Sequence, residues 1–346
     1  MRVGDFVTSY AEADRILRTP VQRTWFAGLL VLLGAFPFLA GDYLLYLACV
    51  LAIHLIATVG LNITTGFTGL ISLGQAAFIG VGAYTAAFCA NLGLPVLVAL
   101  PAGALAAALV GLAVGVPSLR IKGLYLAVAT LAAQFLLGFV FREWEPVTGG
   151  IRGTNVPPAD LFGLPFEGDR AMYWLIVPLA VLTTLAARNL LRTRVGRAFV
   201  AVRDRDLSAE VLGIDLFRTK LASFAIGAAY AGLAGGLWAY FFRAITPESF
   251  TLQLSIFYLA AIIVGGLGSI LGSVLGAAFM TLIPEVLRGA VALVAPVYPQ
   301  AAVLVAPLRE VVFGVLIIAF LILEPHGLAE IWRRVRRFFF LWPFRT

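Results

Sequence analysis

Lysine is nearly missing from this chain: Lys122 and Lys220 are the only two in 346 residues. A phosphate-binding loop needs Gly-x-x-x-x-Gly-Lys-Ser/Thr, because its amides and its lysine cradle the phosphates. Lys122 is followed by Gly123 and Lys220 by Leu221, so the motif is absent. Energy for any work done here must come from another chain or from a gradient. Cysteine and histidine number two each. Cys49 and Cys89 lie inside apolar runs and read as small buried hydrophobes, not as a disulfide or a metal pair. Charge is sparse as well. Only 12% of residues are charged against 61% hydrophobic, and the mean hydropathy is +0.98, far from soluble usage. The longest polar intervals, roughly 142–170 and 188–220, leave no room for a sizeable soluble domain. Within the apolar runs the ionisable groups reduce to His54, Glu285 and Glu310. Ion-coupled carriers commonly place such groups at membrane depth. Here His54 reads as packed and hydrogen-bonded, and the two glutamates fall near span ends. That scarcity favours an external motor over ion coupling.

What remains is a succession of uncharged runs, each long enough to cross a hydrocarbon layer of ~30 Å. The expected spans are 25–40, 43–61, 74–92, 94–116, 123–141, 171–187, 221–243, 253–269, 270–287 and 307–324. The fold class is therefore an all-α, polytopic transmembrane helical bundle of about ten spans, with eight to ten as the range. Placing the N-terminus inside puts nineteen of the 25 basic residues in segments 1–24, 117–122, 188–220 and 325–346. That bias satisfies the positive-inside rule. Both termini are expected in the cytoplasm, and the pI near 9.7 reflects orientation, not nucleic-acid binding. The division is a cytoplasmic N-terminal segment 1–24, a transmembrane domain 25–324 and a basic tail 325–346. Phe6, Tyr10, Ala13 and Leu17 recur at helical spacing, which suggests a surface helix, and no cleavable-signal pattern precedes the first span. Arg333, Arg334, Arg336 and Arg337 suit anionic membrane lipid.

One stretch breaks the pattern. Gly60–Thr85, GLNITTGFTGLISLGQAAFIGVGAYT, is uncharged yet carries Asn62, Thr64, Thr65, Thr68, Ser72 and Gln75 among its glycines. Irregular backbone at membrane depth is tolerated only where protein or a water-filled cavity surrounds it. Segment 62–73 reads as an irregular entry to the third span, and its polar side chains are candidates for lining a pathway. Helix packing explains the glycines well and the hydroxyls and amides less well. Gly265–Gly276 has a similar character, so an internal repeat is a second candidate reading.

Two loops stand out. Arg194–Lys220 places Val195, Ala198, Phe199 and Val202 on one helical face. The charges Arg203, Asp204, Arg205 and Asp206 follow. A second short helix, Leu207–Leu212, should end at Gly213 with a left-handed cap, leaving Ile214 and Leu216 exposed. Such a pair would serve either as a docking surface or as a plain interfacial connector. On the opposite side, loop 142–170 carries Thr148-Gly149-Gly150-Ile151-Arg152-Gly153. Gly289–Ala306, broken by Pro296 and Pro299, reads as interfacial.

The order of motifs resembles the M-type inner-membrane permeases of branched-chain amino acid ABC importers. The match begins with Gly66-x-x-Gly69-Leu70-x-Ser72-Leu73-Gly74-Gln75-Ala76-Ala77-Phe78 and Gly82-Ala83-Tyr84. It continues through Gly123-Leu124-Tyr125, Thr130-Leu131-Ala132, Thr148-Gly149-Gly150 and Gly196-Arg197-Ala198. Leu212-Gly213-Ile214, Thr246-Pro247-Glu248-Ser249-Phe250, Gly265-Gly266-Leu267-Gly268-Ser269 and Glu324-Pro325-His326-Gly327-Leu328 complete it. The resemblance implies a multi-pass subunit of a bacterial inner membrane, not an enzyme. It implies a second permease subunit, two cytoplasmic ATPase subunits that bind the ATP and magnesium, and an extracytoplasmic substrate-binding protein. It places the ATPase-coupling loop at Arg197, Arg203–Asp206, Ala209, Gly213 and Ile214. It adds Thr130 and Gln134 to the pathway candidates, and Thr148, Gly149, Gly150 and Arg152 as candidate contacts for the binding protein. Gln75 replaces the His of many relatives, Gln134 lies where many carry Gly-Glu, and Ile151-Arg152-Gly153 stands where Pro-Asn-Gly is common. Urea and short-chain amide permeases share much of the pattern, and a self-sufficient secondary transporter or channel is the rival from another class.

Overall fold

A computed structural model describes residues 20–118, 124–161, 164–166, 168–294, 311, 314–315, 317–320, 322, 324 and 327–341. The N-terminal surface helix, most of the span expected at 307–324 with Glu310, the Pro296–Pro299 region, and Arg120 with Lys122 lie outside these residues. The helices are α1 (Pro20–Leu39), α2 (Asp42–Leu61), α3 (Gln75–Asn91), α4 (Val96–Ser118), α5 (Leu124–Glu143) and α6 (Asp169–Leu190). They continue as α7 (Arg194–Asp204), α8 (Asp206–Val211), α9 (Leu216–Phe242), α10 (Leu252–Gly265), α11 (Ile270–Val294) and α12 (Leu328–Leu341). Among the described residues seven segments are long and apolar enough to cross a membrane, beginning with Asp42–Phe67 and ending with Ile270–Gly289. The chain is an all-α polytopic bundle.

The bundle is built around α9, the longest helix at 27 residues, which packs against α2, α3 and α4. Lipid tails are as apolar as leucine, so close van der Waals packing, not hydrophobic transfer, must hold membrane helices together. Small residues make that packing possible. At Gly82 of α3 an added Cβ would lie 2.1 Å from the Gly232 carbonyl oxygen of α9. At Gly103 of α4 it would lie 2.8 Å from the Gly82 oxygen, and at Gly232 it would lie 2.6 Å from the Gly103 oxygen. Three backbones therefore meet with no side chain between them. Aromatic rings close the layer beside this contact, with Tyr84, Phe141 and Phe250 in mutual contact.

The structure redraws the irregular segment. Asn62–Phe67 was expected to lead into the third span, but it completes the second as one π-helical stretch running on from α2. Only 68–74 is non-helical. The π turns are closed by Leu70 N–H on the Thr64 carbonyl and Gly69 N–H on the Thr65 carbonyl, both 3.1 Å. Gly69 then turns the chain at φ +77°, a left-handed conformation that glycine enters without steric cost.

Contacts define the two ends of the bundle. At one end β1 (Thr154–Asn155) pairs antiparallel with β4 (Ala244–Ile245), beside the α3 terminus, where Asn91 donates to the Asn155 carbonyl. A second ribbon, β2 (Ala159–Leu161) with β3 (Leu164–Phe166), lies in the same loop. These short ribbons are the β structure of the described residues. At the other end, α7 meets the Gly66–Gly69 turn and, through Arg203, the turn between α10 and α11.

Candidate functional site

The amides at the start of α3 explain much of the polar chemistry. A helix leaves its first N–H groups without intrahelical partners, and at membrane depth no bulk water can satisfy them. Here the partners come from other helices. Ser255 Oγ of α10 accepts the Ala76 N–H at 2.9 Å, and Gln134 Oε1 of α5 accepts the Ala77 N–H at 2.8 Å. Ser255 Oγ donates in turn to Gln134 Oε1, and Gln134 Nε2 donates to the Phe250 carbonyl at 2.8 Å. Gln134 thus ties α3, α5 and α10 together. Thr130 does similar work one turn earlier: its Oγ1 accepts the Leu73 N–H at 2.9 Å and donates to the Ala127 carbonyl. Ser255 escaped the sequence reading; a lone serine in an apolar run carries no local signal of a partner 179 residues away.

Asn62 makes the corresponding junction at the other end of the stretch. Its Nδ2 donates to Ser273 Oγ at 2.7 Å and to the Ser269 carbonyl at 2.9 Å, while its Oδ1 accepts the Gly268 N–H at 2.9 Å. Asn62 thereby clasps the end of the second span to the Gly265–Gly276 stretch. Gly66 is obligatory in this clasp, since a Cβ there would lie 1.7 Å from Asn62 Oδ1. Thr65 and Thr68 bond back to the carbonyls of Leu70 and Ile63 and close the turn locally. All eight pathway candidates, from Asn62 through Gln134, are buried.

Three of them converge on one crevice. Thr64, Ser72 and Gln75 share its wall with Leu61, Phe78 and Phe224, and Gly227 and Ala228 of α9 form its back, packed too closely for a solute to enter. Thr64 Oγ1 donates to the Ser223 carbonyl and Gln75 Nε2 to the Ala57 carbonyl, so both groups are oriented.

The two-helix loop is inserted into this region by one side chain. Arg203 of α7 donates from one guanidinium nitrogen to the Gly66 carbonyl at 3.1 Å. The rest of its fork holds Asp204 Oδ1 through two bonds of 3.0 Å. Its stem lies over Gly69, and a Cβ on Gly268 would fall 2.4 Å from the guanidinium. Arg203 therefore stands between both glycine turns. Beneath it Phe199 is fully buried with Val59, Ile63 and Ala187. Thr193 caps α7 by accepting the Gly196 N–H. The α8 end is a Schellman motif, with Gly213 N–H on the Glu210 carbonyl, Ile214 N–H on the Ala209 carbonyl and Gly213 at φ +85°. The exposed apolar tip differs from expectation. Ile214 and Leu216 are half-buried, and the exposed residues are Leu207, Val211 at 88% and Leu212 at 80%. Ala209 is buried beneath them, while Arg197 and Arg205 are exposed and Asp206 pairs with Lys220 at 3.8 Å.

At the opposite end Thr148, Gly149 and Gly150 form the inside of a tight turn. Gly149 and Gly153 have left-handed φ values of +72° and +71°, and a Cβ on Gly149 would lie 2.1 Å from the Gly153 oxygen. Of the four residues read as contacts there, Arg152 reaches solvent, next to Ile151. His54 Nδ1 bonds Thr281 Oγ1 at 3.0 Å inside a ring of Trp238, Phe257 and Tyr258, as a packed histidine would. Glu285 meets Tyr43 and Arg288.

Comparison with known proteins places the chain among transporters. Residues 43–321 match the family described as "Branched-chain amino acid transport system / permease component". The chain is 35% identical over 295 residues to the high-affinity branched-chain amino acid transport system permease protein LivM of Escherichia coli (strain K12), covering 78% of this chain and 69% of that protein. It is 27% identical over 301 residues to the probable branched-chain amino acid transport permease protein LivH of Methanocaldococcus jannaschii, covering 80% and 89%. A shorter match, 35% over 194 residues, joins it to the autoinducer 2 import system permease protein LsrC of Klebsiella pneumoniae, covering 54% and 53%. No solved structure gives a significant match.

Proposed function

The chain belongs to the branched-chain amino acid transport system permease family, and we propose that it forms half of the membrane pathway of an ATP-driven importer of branched-chain amino acids. Its own residues hydrolyse nothing. ATP and magnesium are held by two cytoplasmic ATPase subunits that dock on the loop formed by α7 and α8. A second permease subunit completes the pathway, and an extracytoplasmic binding protein delivers solute at the Ile151–Arg152 end. The topology has ten spans with both termini in the cytoplasm.

One observation supports the coupling mechanism: Arg203, on the loop that carries the exposed Val211 and Leu212, touches both glycine turns. Force applied at Val211 and Leu212 moves α7, and α7 cannot shift without moving Arg203 against Gly66 and Gly268. Those turns set the position of Asn62 and of the π segment that carries Thr64. Neutral dipoles suit the cargo, because a zwitterion needs hydrogen-bonding partners along its route but is trapped by fixed charges.

The test separates docking from coupling in proteoliposomes that contain the assembled complex. Leu212→Asp should abolish ATPase co-purification. Arg203→Ala should leave the complex intact and lower ATP-dependent leucine uptake by about tenfold, with Arg203→Lys intermediate because lysine lacks the planar fork. ATPase association unchanged by Leu212→Asp, or uptake by this chain alone on an ion gradient, would overturn the reading. Urea outcompeting leucine would redirect the substrate to the amide class.

A further inference from the structure

We propose that α12 is an in-plane anchor whose arginines bind an anionic phospholipid surface. The helix begins at Leu328, beyond residue 321 where the family match ends, so the transport reading does not account for it. Its sequence, LAEIWRRVRRFFFL, is amphipathic at 100° per residue. Ile331, Trp332, Val335 and Phe338 fall in one arc. Arg333, Arg334, Arg336 and Arg337 fall in the other, which Ala329, Phe340 and Leu341 share, with Glu330 as the one acidic residue of the helix. A helix with an apolar arc on one side and an arginine-rich arc on the other is built to lie in the membrane interface, not to cross it.

The structure leaves the apolar arc exposed. The first turn is anchored: Ala329 is buried, and a Cβ on Gly327 would lie 2.6 Å from the Gly266 nitrogen. Beyond it all four apolar residues are exposed, Trp332 at 55% and Phe338 at 54%. Charge complementarity selects what covers them. A bilayer with anionic headgroups offers an apolar layer and a parallel sheet of negative charge, which match the two arcs of this helix. A neutral bilayer would accept the apolar arc and leave four arginines without purpose. Arg333 and Arg334 pair with Glu330 at 3.2 Å and Glu324 at 2.7 Å, yet remain 60% and 62% exposed, so each keeps guanidinium edge open to a phosphate. Trp332 suits the headgroup level.

The anchor point sets the side of the membrane. Gly327 sits on the same turn between α10 and α11 that Arg203 touches through Gly268, so α12 leaves the bundle at the α7–α8 end. The proposal needs only a membrane-embedded chain and stands or falls apart from the transport reading.

The experiment uses the full-length protein in mild detergent, equilibrated with equal parts phosphatidylglycerol and phosphatidylcholine, with bound lipid quantified by mass spectrometry. The wild type should retain phosphatidylglycerol several-fold over phosphatidylcholine. Replacing all four arginines by glutamine should cut that preference by about tenfold or more, and replacing them by lysine should keep most of it. Should the fourfold variant fail to accumulate, the pairs Arg333→Gln/Arg334→Gln and Arg336→Gln/Arg337→Gln should each lose about threefold. In vesicles, acyl-brominated phosphatidylglycerol should quench a component of tryptophan emission that is missing in Trp332→Phe. Absence of lipid preference in the wild type, or an equal preference in the glutamine variants, would overturn the proposal. So would a photo-crosslinker at Phe338 that captures a protein subunit instead of lipid.

Discussion

Gln134 and Ser72 looked alike as polar residues in apolar runs, but their surroundings separate them. Gln134 commits its amide to the Ala77 N–H, the Ser255 hydroxyl and the Phe250 carbonyl. Ser72 lines the crevice. Removing a partner from a buried polar group costs about 1–3 kcal/mol for each group left unpaired. Gln134→Leu strands an amide and a carbonyl at membrane depth, so it should lower the thermal melting temperature of the detergent-solubilised protein markedly. Ser72→Ala should leave that temperature nearly unchanged and alter the concentration dependence of uptake. The opposite pattern in a melting and uptake comparison would return Gln134 to the pathway. At Asn62 the same logic applies through the Gly268 amide and Ser273, and Gly66→Ala should resemble Asn62→Ala because both break one clasp.

At the scale of elements, the short α8 depends on a single backbone conformation. Gly213 has φ +85° and no heavy atom within 4 Å of where a Cβ would stand. Its requirement is therefore conformational, not steric packing. Gly213→Val should destabilise the α8 cap by about 1–2 kcal/mol, the cost of a left-handed conformation for an L-residue. Gly213→Asn should be milder, since asparagine tolerates that region. Hydrogen exchange of the 206–214 amides would register both. ATPase stimulation should fall in the same order, because the Schellman turn holds Val211 and Leu212 in place. The sequence showed the cap at Gly213 but misjudged the apolar tip. The turn folds Ile214 back towards Ala209 and rotates Val211 and Leu212 outward, a consequence of three-dimensional closure that linear spacing does not carry. The π segment was missed for a related reason. Its glycines and hydroxyls look like a break in helix, whereas clasping by Asn62 and Arg203 keeps the backbone wound.

For the whole molecule, the Gly82–Gly103–Gly232 contact is where substitution should be least tolerated. Gly232→Leu would drive a side chain into the α4 backbone at Gly103 and the Ala107 methyl, and overpacking of this kind costs about 1–3 kcal/mol or more where backbone cannot yield. Loss of the folded monomer peak in size-exclusion chromatography would register it. Orientation has its own test. A cysteine at Leu212 should react with an impermeant maleimide only from the cytoplasmic side, and one at Ile151 only from outside, in a background lacking Cys49 and Cys89. Labelling of both from one side would overturn the proposed orientation.

Composition and charge order are properties of local sequence, so the chain alone determined the membrane class, the orientation expected from nineteen basic residues, the missing phosphate loop and the family motifs. Which polar residues hold the fold and which face the crevice was decided only by tertiary structure. The reason is distance along the chain. Gln134 caps an amide 57 residues away and Arg203 reaches a carbonyl 137 residues away. A buried dipole takes its meaning from the partner that satisfies it, and that partner is chosen by the packing of helices.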